Sequence, residues 1–508
     1  MTVIELRDGP VRGVVAGDVA SWKGIPYAAP PVGSLRWRSP QPVDPWREIR
    51  DAAAFGDDCV QAPGSEPIRT ATSEDCLFVN VWAPARREPG ARLPVMVWIH
   101  GGGYVGGGSS IPYYDGSAFA RHGIVVVSFN YRLGRFGFFA HPALLAAAEG
   151  PVGNYGYLDQ IRALEWVRDN IDRFGGDPAR VTVVGESAGG ASVIHLVVSP
   201  VVDGLFHQAM SLSGAGRKAL LARPLTRGRI SDISARRIDS AFGLAHGIRG
   251  DGPKALGKLR AIDAATLAGD ENLEKLGKIK LLGGSIPGIP AIDGTIVVGE
   301  PEDHLVSGGD AKRVPLLIGS TALDVPLHFP PRKLDPLAWF GPERAAAREA
   351  YDAPDHLDLE GALRLLLAIG ADMTMHEPAH FVAASMRAGG RPAWVYRFTY
   401  TAESTRPGAA GQVHAGELPF LFDTLESRYG AATTSRDQAT ARAFNAYVSN
   451  FVRRGDPNGP GLPAWPMAEP GRFEVLDFSL DDGPVFGPEP RAGVELVARA
   501  RDRHRAAG

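Results

Sequence analysis

Between residues 75 and 200 the spacing of apolar side chains changes repeatedly from one period to another. Short apolar runs at 77–81, 94–99, 124–128 and 181–184, rich in Val and Ile, predict strands. Between the last two runs, Leu158, Ile161, Leu164, Trp166 and Val167 recur at helical spacing and predict an amphipathic helix over 157–174. A second helix is predicted over 191–198. Strands alternating with helices in this way imply an α/β architecture, a large and mostly parallel central sheet with helices on both faces. Upstream, residues 1–50 read as short strands and Pro-rich loops, with 24–31 turn-rich. Residues 217–280 carry more charge and more helix formers and predict a helical insertion over one end of the sheet. Strands resume at 316–318 and 393–399. There is no fixed-period repeat and no Gly/Ser-rich linker, so the expectation is one domain over 1–508.

Composition narrows the function classes. The chain has 508 residues, 44% hydrophobic and 22% charged, as in ordinary globular proteins. A net charge of −3 without a dense Lys/Arg cluster gives no footprint for nucleic acid. The longest apolar runs are strand-length, far short of a membrane span. The first residues lack a basic region followed by an apolar one, so no secretory signal is visible and a cytoplasmic protein is expected. Two cysteines, Cys59 and Cys76, do not make a disulfide scaffold.

The chemistry begins at Gly185-Glu186-Ser187-Ala188-Gly189-Gly190. A serine between glycines, after a strand and before a helix, has the form of a nucleophile elbow. By itself the pattern is weak, because with 62 glycines in the chain a structural turn explains it equally well. A second motif, His100-Gly101-Gly102-Gly103-Tyr104, follows the strand predicted at 94–99. Acyl transfer builds negative charge on a carbonyl oxygen, and a glycine run after a strand offers unobstructed N–H donors to it. The expected oxyanion hole is Gly102, Gly103 and Ala188, the residue after the serine.

Around these motifs the chain resembles the type-B carboxylesterase family of α/β-hydrolases, which includes bacterial para-nitrobenzyl esterases and animal cholinesterases. The resemblance covers almost the whole chain. It rests on Gly24-Ile25-Pro26-Tyr27-Ala28, Ser73-Glu74-Asp75-Cys76-Leu77, Asn130-Tyr131-Arg132-Leu133-Gly134, Gly153-Asn154-Tyr155-Gly156, Phe174-Gly175-Gly176-Asp177-Pro178, the serine motif itself and Gly455-Asp456-Pro457-Asn458-Gly459. It implies the α/β-hydrolase fold and a serine esterase working through an acyl-enzyme, with no metal and no cofactor. In this fold the acid and base follow the serine in the order Asp/Glu, then His. His414, in His414-Ala415-Gly416-Glu417-Leu418-Pro419-Phe420, resembles the family's catalytic-histidine segment. The acid departs from the pattern. Five residues past Gly319, where the family usually carries glutamate, this chain has Asp324. The shorter carboxylate can still orient the imidazole if its backbone lies about one methylene closer.

The resemblance implies more. Glu186 is expected buried beside the site, and Ser213 matches a family serine near the catalytic histidine. Cys59 and Cys76 match a pair that closes a local disulfide in many members. The residues between them contain no aromatic side chain, so a choline-ester preference has no support there. Tyr104, Trp339, Phe340 and Phe420 are candidates for an apolar substrate pocket, each a core residue by default. The expected substrate is a small ester and the expected protein a monomer or weak homo-oligomer. Rival readings are a carbamate or amide hydrolase with the same machinery, or a non-catalytic adhesion protein on this fold. One further pattern, His376-Glu377-Pro378-Ala379-His380, has zinc-protease spacing. Pro378 argues against it, because a helix starting near Glu377 leaves His376 off the helix.

Overall fold

The computed structural model describes residues 2–64, 67–88, 90–226, 234–282, 284, 286–306, 314–409 and 411–506. Twelve strands follow one another across the main sheet: β1 (Thr2–Glu5), β2 (Pro10–Ala16), β3 (Val19–Pro26), β4 (Phe78–Pro84), β5 (Leu93–Ile99), β6 (Val125–Phe129), β7 (Gly176–Glu186), β8 (Gln208–Leu212), β9 (Leu316–Thr321), β10 (Ala393–Phe398), β11 (Glu474–Ser479) and β12 (Gly483–Pro488). Their spatial order is β1-β2-β3-β4-β6-β5-β7-β8-β9-β10-β11-β12. From β6 to β11 all pairings are parallel, and the edges are antiparallel. This is the α/β-hydrolase architecture.

The continuous apolar runs have a simple cause. A parallel strand covered on both faces presents apolar side chains at nearly every position. On β5, Val95, Val97 and Ile99 enter the core shared with helices Tyr155–Asn170 and Ala188–Val198. Met96 and Trp98 enter the opposite core, against helix Ser435–Arg454. The helix predicted over 157–174 is α-helical only for Tyr155–Asn170 and ends in a 3-10 turn, Ile171–Phe174, stopped by Gly175 at φ 82°. Strand β8 and the terminal hairpin β11–β12 were not predicted. Within the insertion predicted at 217–280, helices span Ala235–Ala245, Pro253–Arg260, Ala264–Ala268 and Leu273–Leu282; its residues 227–233 lie outside the described residues. Among the described residues no helix is long and apolar enough to cross a membrane.

Cys59 and Cys76 are joined, with Cα atoms 5.0 Å apart. In the loop-entropy model, closing a loop of this size stabilises the fold by roughly 3 kcal/mol. Dithiothreitol should therefore lower the urea midpoint of the native protein. It should leave that of a Cys59→Ser/Cys76→Ser variant where it stands; equal shifts in both would remove the disulfide as the cause.

Candidate active site

The C-terminal ends of five adjacent strands deliver the candidate residues to one place. This is where open α/β sheets hold their ligands. Strand β7 ends at Glu186, and Ser187 follows at φ 55° and ψ −119° before helix Ala188–Val198 begins. A left-handed φ is costly for a residue with a Cβ. The surroundings impose it: Ser187 N–H donates to Leu212 O at 2.9 Å, and its carbonyl accepts from Ala191 N–H. The turn is closed by contact as well, since a Cβ on Gly189 would sit 2.0 Å from Ile99 O.

Ser187 Oγ lies 2.9 Å from His414 Nε2, and His414 Nδ1 lies 2.6 Å from Asp324 Oδ1. The short Asp324 side chain reaches because its loop is zipped to that of His414. Leu323 forms a parallel bridge with Val413, Leu323 N–H donates to Gln412 O at 2.8 Å, and His414 N–H donates to Leu323 O at 3.1 Å. The missing methylene is thus made up by backbone proximity. Asp324 is buried. Its Oδ2 accepts from Ser213 Oγ at 2.6 Å and Thr321 N–H at 3.2 Å, and its Oδ1 from Val325 N–H at 2.8 Å. Burial would raise its pKa, but His414 and these donors hold it below the usual carboxylate value, so it stays ionised.

Ser213 thus bonds Asp324, the residue that His414 Nδ1 also meets. Its position follows from the pairing of β8 with β9, which also lets Ser213 N–H donate to Gly319 O at 2.8 Å. Glu186 is buried, with Oε1 3.2 Å from His414 Nε2. Burial alone would depress the His414 imidazole; Glu186 and Asp324 overcome this and raise it above the ordinary value. Glu417 received no role from sequence, although it stands three residues past His414. It is fully buried, and burial pushes its carboxyl up to about 7 beside Asp324 and His414.

Strand β5 leads into His100-Gly101-Gly102-Gly103. Gly102 has φ 102°, and a Cβ there would lie 2.0 Å from Gly106 O, so the loop curls back on itself. The backbone N–H groups of Gly102, Gly103 and Ala188 meet no protein acceptor among the described residues. They are available to a ligand.

A cavity of about 300 Å³ opens onto Ser187, Gly103 and His414. Leu273, Leu276 and Leu281 of helix Leu273–Leu282 wall one side, and Val325, Leu327 and Phe329 line it from the loop after Asp324. The four aromatic candidates lie elsewhere. Tyr104 is buried with its hydroxyl 2.9 Å from that of Tyr157. Trp339 and Phe340 pack with Leu365 and Ile369, and Phe420 fills the core against Phe398.

The zinc-like pattern is dispersed among separate partners. His376 Nδ1 meets Ser320 Oγ at 2.9 Å, Glu377 pairs with Arg217, and His380 Nε2 meets Glu489 at 3.0 Å. His376 also remains helical, contrary to expectation. A π-turn, Asp372–His376, joins helix Leu359–Ala371 to helix Glu377–Ala388, and Glu377 N–H bonds back to Asp372 O. Pro378, which has no N–H to donate, comes just after the wide π-turn.

Comparison with known proteins finds relatives over almost the whole chain. The family model described as the carboxylesterase family matches residues 1–330 and 342–485. Fumonisin B1 esterase of Sphingopyxis macrogoltabida is 36% identical, covering 94% of this chain and 86% of that protein. Para-nitrobenzyl esterase of Bacillus subtilis is 35% identical, covering 93% and 94%. A solved structure of a PNB esterase superposes with a TM-score of 0.79 at 32% identity, covering 97% of this chain and 99% of that one.

Proposed function

The chain belongs to the carboxylesterase family and is a carboxylesterase, and from that premise we propose that it cleaves its ester through an acyl-enzyme formed on Ser187. His414 accepts the serine proton through Nε2 as Oγ attacks the carbonyl carbon. Asp324 accepts the Nδ1 proton, fixes the tautomer and stabilises the imidazolium that forms. The N–H groups of Gly102, Gly103 and Ala188 receive the oxyanion. His414 then returns the proton to the leaving alkoxide. In the second half, water gives its proton to His414 as it attacks the acyl carbon; the bond to Ser187 Oγ then breaks, His414 returns the proton to Oγ and the acid leaves. The apolar part of the ester lies in the leucine-walled cavity.

The observation that carries this reading is the unbroken chain from Ser187 Oγ to His414 to Asp324, at 2.9 and 2.6 Å. Rapid mixing with a p-nitrophenyl ester tests it. The expected result is a nitrophenol burst of one equivalent per chain, with the acyl mass recovered on the Ser187 peptide after acid quench. Steady turnover with no acylated peptide under any quench, and no burst, would favour direct attack by water.

A further inference from the structure

We infer that the π-turn Asp372–His376 is a clamp that holds the loop of Asp324 in register with Ser187, with Thr374 as its principal positioning residue. The inference rests on the reading of Asp324 as the catalytic acid. It also gives a purpose to the one sequence pattern the chemistry left aside, since His376 opens that pattern.

The three polar side chains of the π-turn, Asp372, Thr374 and His376, are fully buried. Thr374 and His376 directly reach the segment 320–328, which carries Asp324 at its centre, and Asp372 reaches it through Arg491. Thr374 Oγ1 accepts from Leu327 N–H and His328 N–H, both at 2.9 Å, and donates to Gly370 O at 2.6 Å. His376 holds Ser320 through Nδ1, and the Arg397 guanidinium donates to the same pair. Asp372 accepts from Arg491 Nε at 2.6 Å, and Arg491 Nη1 reaches Ala322 O at 3.4 Å. The segment is therefore held on both flanks of the acid, at 320 and 322 before it and at 327 and 328 after it.

Thr374 sits between Asp372 and His376 on the π-turn, which joins two regular helices. A π-turn is wider, and such turns recur at functional sites. The consequence passes beyond Asp324. The bridge between Leu323 and Val413 ties the histidine loop to the same segment. Acid and base thus move as one unit, and the clamp fixes that unit against the sheet end that carries Ser187. Gly370 completes the contact: a Cβ there would lie 2.8 Å from Pro326 Cβ and 3.0 Å from Phe329 Cδ1. A displacement of about 1 Å between reacting groups can cost about 10²-fold in rate.

Two variants probe the clamp from opposite sides. Thr374→Val keeps the shape but removes the acceptor for two amides. Gly370→Ala keeps every hydrogen bond and pushes the loop away. Both are expected to lower kcat for p-nitrophenyl acetate by about 10- to 100-fold, and Thr374→Ser is expected to restore most of it. In an Asp324→Asn background the same two changes should cost less than about twofold, since coupled residues are non-additive. Leu259→Ala, a core truncation on the buried face of helix Pro253–Arg260, serves as a control for general loss of stability and should leave kcat unchanged. Full kcat in both Thr374→Val and Gly370→Ala, or losses that add fully to that of Asp324→Asn, would overturn the clamp. Full activity in Asp324→Asn alone would instead overturn the assignment of the acid.

Discussion

Ser187→Ala is expected to lower kcat on any ester by about 10⁵- to 10⁶-fold, the scale set by removing the nucleophile of a serine hydrolase. The side chain has His414 as its only hydrogen-bond partner among the described residues, so its loss removes no support from the fold. The backbone at φ 55° is imposed by Leu212 O and Ala191 N–H, and alanine carries the same Cβ through it. The thermal midpoint should accordingly stay where it is. The N–H groups of Gly102, Gly103 and Ala188 remain, so substrate still binds and some rate over water survives. The decisive measurement pairs kcat with binding of an uncleaved ester analogue. A variant that binds but does not turn over fits the assignment, and one that keeps even a few per cent of wild-type kcat does not.

How much of this was legible depended on the range of the contact. The serine motif is local. A strand, a tight turn and a helix must meet within a few residues, and only glycine fits at 189, so the pattern survives in the sequence. Strands β5, β6 and β7 were equally plain because burial on both faces leaves their central residues almost wholly apolar. The pairing of Ser187, His414 and Asp324 is long-range, and only the order of residues along the chain and the resemblance pointed to it. The bridge between Leu323 and Val413 left no trace in composition, yet it is what brings the shorter carboxylate within reach of His414. Leucines at 273, 276 and 281 announce an amphipathic helix, but periodicity does not say which cavity that helix walls. The hairpin β11–β12 ends the sheet without regular alternation, and β12 is half-exposed and rich in Gly and Pro, so it carries no strong period. Thr374 sits in the π-turn between Met373 and Met375, and its role depends on two amides nearly fifty positions earlier.

Asp324→Asn is the second large effect, about 10⁴-fold in kcat, and its cause lies in the donors around the carboxylate. Oδ2 accepts from Ser213 Oγ and Thr321 N–H, while Oδ1 accepts from Val325 N–H and from His414 Nδ1. Asparagine has one acceptor oxygen for these two groups. Placed toward Ser213 and Thr321, it turns its NH2 toward His414 Nδ1, which must then accept. The imidazole proton moves to Nε2 and faces Ser187 Oγ, so the ring can no longer take the serine proton. The pH profile should change as well. Neutral His414 is the active form, so activity is lost as pH falls through its pKa, and Glu186 and Asp324 both raise that pKa. With Asp324 neutralised, the acid limb of kcat/KM shifts to lower pH even as the plateau drops. Glu186, at 3.2 Å from Nε2, and buried Glu417 are the other carboxylates at this histidine. If either of them were the acid, Asp324→Asn would cost less than about tenfold and the corresponding Gln variant would carry the loss instead.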